Sequence, residues 1–166
     1  MMRIGLVSDS HGSREALERA LKALGSCDLI IHAGDYASDA DFIREQVGVP
    51  VMVVRGNCDF YDERYPDFID TKLGGHHFFI THGNRQYVKM DLDDLLIEAK
   101  AREADIAVFG HTHIPTIQEE DGVLMVNPGS VYLPHSGQYP TCAVLTLDGG
   151  KRSAEIIQLG AKKGIY

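Results

Sequence analysis

The sequence has few cysteines, no long apolar run and a shortage of positive charge. Each shortage removes a class of protein. The three cysteines, Cys27, Cys58 and Cys142, are widely spaced and odd in number, and no Cys-x-x-Cys occurs. This argues against a disulfide framework and for a reducing compartment. No apolar stretch approaches the roughly 20 residues that cross a bilayer. Asp9 arrives too early for a signal peptide. The expected location is cytoplasmic, with no membrane partner. Lys and Arg total 16 against 24 Asp and Glu, a net charge of −8. General nucleic-acid binding needs clustered cations against phosphate and is not expected. A phosphate ester stays open as substrate if bound cations supply the local positive charge. Gly-x-Ser-x-Gly elbows, Walker loops, repeats and linkers are also missing, so Ser8 and Ser10 do not read as nucleophiles. The 166 residues, 44% of them hydrophobic, suit one compact domain over 1–166.

What the chain does have is alternation. Residues 3–8, 28–32 and 50–54 are short apolar runs that read as strands. Between them lie helical patterns, one with Leu17, Ala20, Leu21 and Leu24 on a single face and one over 39–47. Ser13 and Ser38 are suited to cap them, and Gly25, Gly48 and Pro50 to end them. Residues 60–66 read as a loop. Residues 67–72 and 77–80 read as a strand pair around Gly74-Gly75-His76. A third helix spans 92–102, with Asp91 as its cap. Residues 106–109 form another strand. Hairpins then follow around Glu120-Asp121-Gly122 and Asp148-Gly149-Gly150, with an irregular loop at 132–140 between them. Strand–helix alternation predicts a parallel sheet, and the late hairpins an antiparallel one. Together they predict an α/β fold of two packed mixed sheets, a β-sandwich flanked by helices.

Five strands run into small polar clusters that carry a glycine: Asp9/His11/Gly12, Gly34/Asp35, Gly56/Asn57, His82/Gly83 and Gly110/His111/His113. Ligands of open α/β sheets bind beyond the carboxyl ends of the strands, so parallel strands bring these clusters to one edge. The donors are two Asp, one Asn and four of the eight histidines. Mixed oxygen and nitrogen donors suit manganese, iron, nickel, cobalt or zinc better than magnesium or calcium. Seven donors exceed one tetrahedral site, so two metals sharing a carboxylate fit better. A single-zinc hydrolase built on His111 and His113 alone leaves Asp9, Asn57 and His82 without a role.

Asp9-Ser-His11, Gly34-Asp35, Gly56-Asn57-Cys58-Asp59, Thr81-His82-Gly83 and Gly110-His111-Thr-His113 resemble, in order, the blocks of the calcineurin-like metallophosphoesterases. The small size and the Asn127-Pro-Gly-Ser130 turn resemble the compact bacterial and archaeal phosphodiesterases. The resemblance implies one metal held by Asp9, His11, Asp35 and His113, and a second held by Asp35, Asn57, His82 and His111. Asp35 would bridge the two. It implies two divalent ions, manganese first, and a hydroxide between them attacking a small phosphate ester in line. Asp35, Asn57, His82 and Cys58 would then be the groups nearest the reaction. His111 and His113 should part, one to each metal. The resemblance also leaves room for a homo-oligomer. The competing reading is a non-catalytic scaffold like the retromer subunit of this fold, but there ligands are replaced, and here every expected ligand is present.

Elsewhere, His32 reads as packed, His76 and His77 as surface residues at a hairpin, and Asn127 as a turn residue. His135 reads as a loop residue that could reach the substrate. One departure from the family affects rate. Many members carry His directly after the Asn, where it can protonate the leaving group, and here that position is Cys58. A thiol, with its ordinary pKa of about 8.5, is a poorer acid at neutral pH. Aryl diesters should therefore be turned over faster than alkyl monoesters. Equal rates in a side-by-side hydrolysis assay would refute this.

Overall fold

The computed structural model describes residues 1–59 and 61–160. Phe60, part of the expected 60–66 loop, lies outside the described residues. Strands β1 (Met2–Val7), β2 (Leu29–His32) and β3 (Val51–Val53) are mutually parallel, and helices α1 (Arg14–Leu24) and α2 (Asp39–Gln46) connect them. Then come β4 (Phe68–Leu73), β5 (His76–Thr81), α3 (Asp93–Ala101), β6 (Ile106–Val108), β7 (Thr116–Glu120), β8 (Val123–Asn127), β9 (Thr141–Asp148) and β10 (Lys151–Gln158). One sheet has the order β10-β9-β1-β2-β3 and the other β4-β5-β6-β8-β7. Both are mixed, as the alternation of elements predicts.

The late hairpins do not make a sheet of their own. β9 and β10 extend the first sheet beside β1, whereas β7 and β8 complete the second. β8 runs parallel to β6. Hairpin signals are local and say nothing of which edge a hairpin joins.

Alternation of side chains along each strand explains the layers. Ile4, Leu6, Leu29, Ile31, Phe78, Ile80, Val108 and Val126 point between the sheets and form the central core. Their neighbours Val7, Ile30 and Val144 face the other way, against Leu17, Ala20, Leu24 and Ile43 of α1 and α2. Phe79, Ala107 and Met125 likewise turn outward onto Leu95, Leu96 and Ala99 of α3. The order through the molecule is helices, sheet, sheet, helix.

Caps follow the sequence only in part. Ser13 accepts a 3.2 Å hydrogen bond from the Ala16 amide, and Gly25 ends α1 at φ 65°. Ser38, in contrast, is already helical and makes no side-chain cap bond. Its neighbour Asp39 turns its carboxylate back to the loop after β1. The cap position of α3 is Leu92, and Asp91 serves one residue earlier by accepting from the Asp93 amide. His76, expected in the turn, opens β5, and neither it nor His77 is an exposed surface residue. His76 is buried with Nδ1 2.6 Å from Asp105, and His77 pairs with Asp70 across the strand pair. Both histidines find carboxylates on neighbouring segments, a long-range pairing that hairpin chemistry does not reveal. Phe78 fills the space between the sheets with no exposure. Phe78→Ala should cost about 3–5 kcal/mol of unfolding free energy. Urea denaturation measures this, and a loss near zero would show that the layer does not depend on it.

Candidate metal centre

The carboxyl ends of β1, β2, β3, β5 and β6 meet at one edge shared by both sheets. The first sheet delivers Asp9, His11, Asp35 and Asn57, and the second delivers His82, His111 and His113. Five of these residues sit in left-handed backbone: Asp9 (φ 53°), His11 (49°), Asp35 (59°), His111 (71°) and His113 (59°). Non-glycine residues adopt this conformation at a cost of about 1 kcal/mol or more, and such strain clusters where side chains must be aimed.

The geometry separates the donors into two groups. Asp9, His11, Asp35 and His113 each offer one ligand atom, all within 4.8 Å of one another. His82 lies beside them, its Nε2 3.4 Å from Asp35 Oδ2 and 3.8 Å from Asp9 Oδ1. The imidazoles of the Gly110 loop part. His113 packs on His11 at 5.2 Å between ring centres, and His111 stands edge-on to His82 at 5.1 Å. Asn57 is exposed at the rim, its Nδ2 3.8 Å from Cys58 Sγ. Its chain neighbour Cys58 grips Asp35, the Cys58 amide donating to Oδ1 at 2.9 Å.

The hydrogen bonding leaves particular atoms free. His82 Nδ1–H donates to the Ala33 carbonyl at 2.7 Å, which leaves the Nε2 lone pair facing the carboxylates. His113 donates in the same way to the Leu133 carbonyl. Asp9 Oδ2 accepts from Ser8 Oγ at 2.6 Å and from the His111 amide at 3.2 Å. Asp9 Oδ1, His11 Nε2 and His82 Nε2 remain buried with no hydrogen-bond partner. Buried polar atoms are almost always paired, so orphaned donor atoms beside two buried carboxylates mark a place for a cation.

Ionisation follows the same logic. Burial pushes the Asp9 carboxyl up, but the His113 imidazole, its Nε2 3.2 Å from Asp9 Oδ1, and the charge of His82 outweigh it, and the net shift is down. Asp35 is likewise held well below the ordinary carboxylate range: burial opposes this, and His82 overcomes it. His82 and His113 move up, because the carboxylates beside them outweigh burial. His111 is pushed down to about 4 by burial, with the His82 and Lys89 charges adding to the effect. Cys58 rises to about 11 through burial and the nearby Asp35 and Asp59 carboxylates.

Outside the donors lies a frame that the sequence shows only as ordinary polar residues. His32 is fully buried. Its Nδ1 accepts from the Gly34 amide at 3.0 Å, and its Nε2 meets Ser10 Oγ at 2.8 Å. Ser10 donates to Asp39, which also takes the Gly12 amide. Burial lowers the His32 pKa, so this strut stays neutral. Asn127 is no mere turn residue: its Nδ2 donates to the Gly110 carbonyl and to Thr112, 3.0 Å each. Ser130 Oγ donates to the Asp9 carbonyl at 2.8 Å. Asp59 accepts from the Gly56 and Ala37 amides. Ser10 and Asp39 have no sequence signature beyond lying near the clusters, and Ser130 shows only as the end of the Asn127-Pro-Gly-Ser130 turn. His135 is exposed beside the Gly110 loop, its amide donating to the His113 carbonyl at 3.1 Å.

Oxygen and imidazole donors at a shared sheet edge, with orphaned atoms among them, make a site for a divalent metal. The calcineurin-like phosphoesterase superfamily domain matches residues 2–150, and the chain belongs to that family. It is 35% identical over 148 residues to the probable metallophosphoesterase YsnB of Bacillus subtilis, covering 89% of this chain and 85% of that one. It is 30% identical over 146 residues to the phosphodiesterase MJ0936 of Methanocaldococcus jannaschii, covering 77% and 83%. A predicted phosphoesterase from Streptococcus pneumoniae superposes with TM-score 0.81 at 28% identity, covering 97% of this chain and 91% of that one. Vps29 of Entamoeba histolytica, at 19% identity and TM-score 0.75 over 96% of this chain and 100% of its own, shares the fold alone.

A Cβ on Gly56 would lie 2.2 Å from Asp35 Oδ1 and 2.6 Å from the Asp35 amide. Gly56→Ala must displace that carboxylate. We expect at least a tenfold loss of divalent-metal affinity by calorimetric titration, with the far-ultraviolet circular dichroism unchanged. Unaltered affinity would show that the carboxylate has room to move.

Proposed function

We propose that the chain hydrolyses phosphodiesters with two divalent cations, manganese first, with nickel, iron, cobalt and zinc as alternatives. Asp9, His11, Asp35 and His113 would hold one cation, and Asp35, Asn57, His82 and His111 the other. The observation that carries this is the set of buried donors at one edge: Asp9, His11, Asp35 and His113 offer ligand atoms within 4.8 Å of one another, and His82 Nε2 stands 3.4 Å from Asp35 Oδ2. The cations would supply positive charge to the phosphoryl oxygens and acidify a water. The chain's own groups do the rest. Asp35, gripped by the Cys58 amide, fixes the spacing between the two halves. His82 and His113, each anchored through Nδ1 to a backbone carbonyl, present Nε2 in one orientation. His111 stays neutral at physiological pH and keeps a lone pair to give.

Cys58 keeps its proton far above neutrality and is a weak acid toward a leaving oxygen. This supports a preference for esters whose leaving group departs as a stable anion. The net charge of −8 supports a small ester over a nucleic-acid polymer. Three free cysteines support a cytoplasmic location. No helix among the described residues is long and apolar enough to cross a membrane.

Manganese loading followed by metal analysis should give two ions per chain, with hydrolysis of p-nitrophenyl diesters. Less than one ion per chain and no activity on mono- or diesters would overturn the reading. Asp35→Asn should abolish turnover, a fall of at least a hundredfold in kcat/KM. Full retention would refute the bridging role.

A further inference from the structure

Next to the imidazoles of His111 and His113 lies a hollow of about 570 Å³. Inorganic phosphate or a methyl ester would fill a small part of it, for clefts of 300–1,000 Å³ enclose drug-sized ligands. Val88, Leu92, Phe109 and Ile114 give it apolar walls, and the Thr112 hydroxyl offers a hydrogen bond. Lys89 is the one lysine or arginine on the lining, and no carboxylate lines it. Cys58, at the position where the family resemblance implies the leaving-group acid, lines a different hollow of about 480 Å³ with Tyr36 and Asp59. The two hollows therefore suit the two arms of a diester, with the departing arm beside Cys58.

We propose that the hollow beside His111 and His113 is the subsite for the retained arm, and that Lys89 and Leu92 select an arm made of a flat ring with a second anionic group, as in a nucleotide. The apolar walls recognise the ring, and a bare alkyl chain would leave Lys89 without a partner. The inference rests on the phosphodiesterase reading. In the reaction, water oxygen bonds to phosphorus and the P–O bond to the departing arm breaks. The departing oxygen takes a proton, and the retained arm leaves as a phosphomonoester.

Three p-nitrophenyl diesters test this on the metal-loaded protein: the methyl ester, the thymidine ester, and the thymidine ester with a second phosphate on the sugar. KM should fall in that order. Lys89→Ala should remove the advantage of the second phosphate, about fivefold. Leu92→Trp should narrow the hollow and raise KM for both nucleoside esters relative to the methyl ester. Calorimetric titration with thymidine bisphosphate should show the same fivefold loss of affinity in Lys89→Ala, which reports on binding without turnover. Equal KM for the three esters, or no change on Lys89→Ala in either measurement, overturns the subsite. Hydrolysis of none of the three overturns the phosphodiesterase reading instead, and the titration then decides the subsite alone.

Discussion

Two buried carboxylates set the terms for this molecule. Asp9 and Asp35 are almost completely withdrawn from water at an edge where two sheets meet. An uncompensated charge in such a place is costly, and a protein tolerates it only with partners at hand. Here the partners are imidazoles from the opposite sheet and backbone amides from adjoining loops. The strained backbone at five of the seven donors, the glycines against the carboxylates and the struts at His32, Asn127 and Ser130 all serve that arrangement. Remove the two charges, and much of the loop structure has no reason to take its present form.

Much of this was legible in the chain. Short apolar runs ending in Asp, His or Asn beside Gly show both the strands and the edge they share, because parallel strands place their ends together. The family pattern leads one to expect His111 and His113 to part, and the two rings lie in different packing pairs. The glycines were legible as a type but not as a cause: only the structure shows Gly56 pressed against Asp35 and Gly110 against Ser8 and Asp9.

What escaped the sequence has a common physical origin. His76 and His77 read as surface residues at a hairpin, yet each meets a carboxylate, 29 and 7 positions away in the chain. Asp39 reads as a helix-start residue, and its charge is spent on Ser10 and Gly12 instead of its own helix. Asn127 reads as a turn-former because Pro128 follows it, and its amide reaches back to Gly110. In each case a polar group with a sound local use was taken by a distant one. Local propensity is a weak competitor when a buried donor or acceptor must be satisfied. The same holds for the hairpins, whose turns were evident and whose sheet membership depended on contacts far along the chain.

One contact joins the two sheets directly at this edge: the His82 ring, carried by the second sheet, donates to the Ala33 carbonyl of the first. Its other nitrogen faces Asp9 and Asp35, also of the first. A cation bound there would pull on both layers, and its binding energy would appear as cohesion between them. By mass action, a ligand at a hundred times its dissociation constant adds about 2.7 kcal/mol to the folded state. The molecule would then behave as a sandwich with a clasp, in which the resistance of the layers to parting reports how full the centre is. Substitutions deep between the sheets, far from any donor, would in turn be felt as changes in cation affinity.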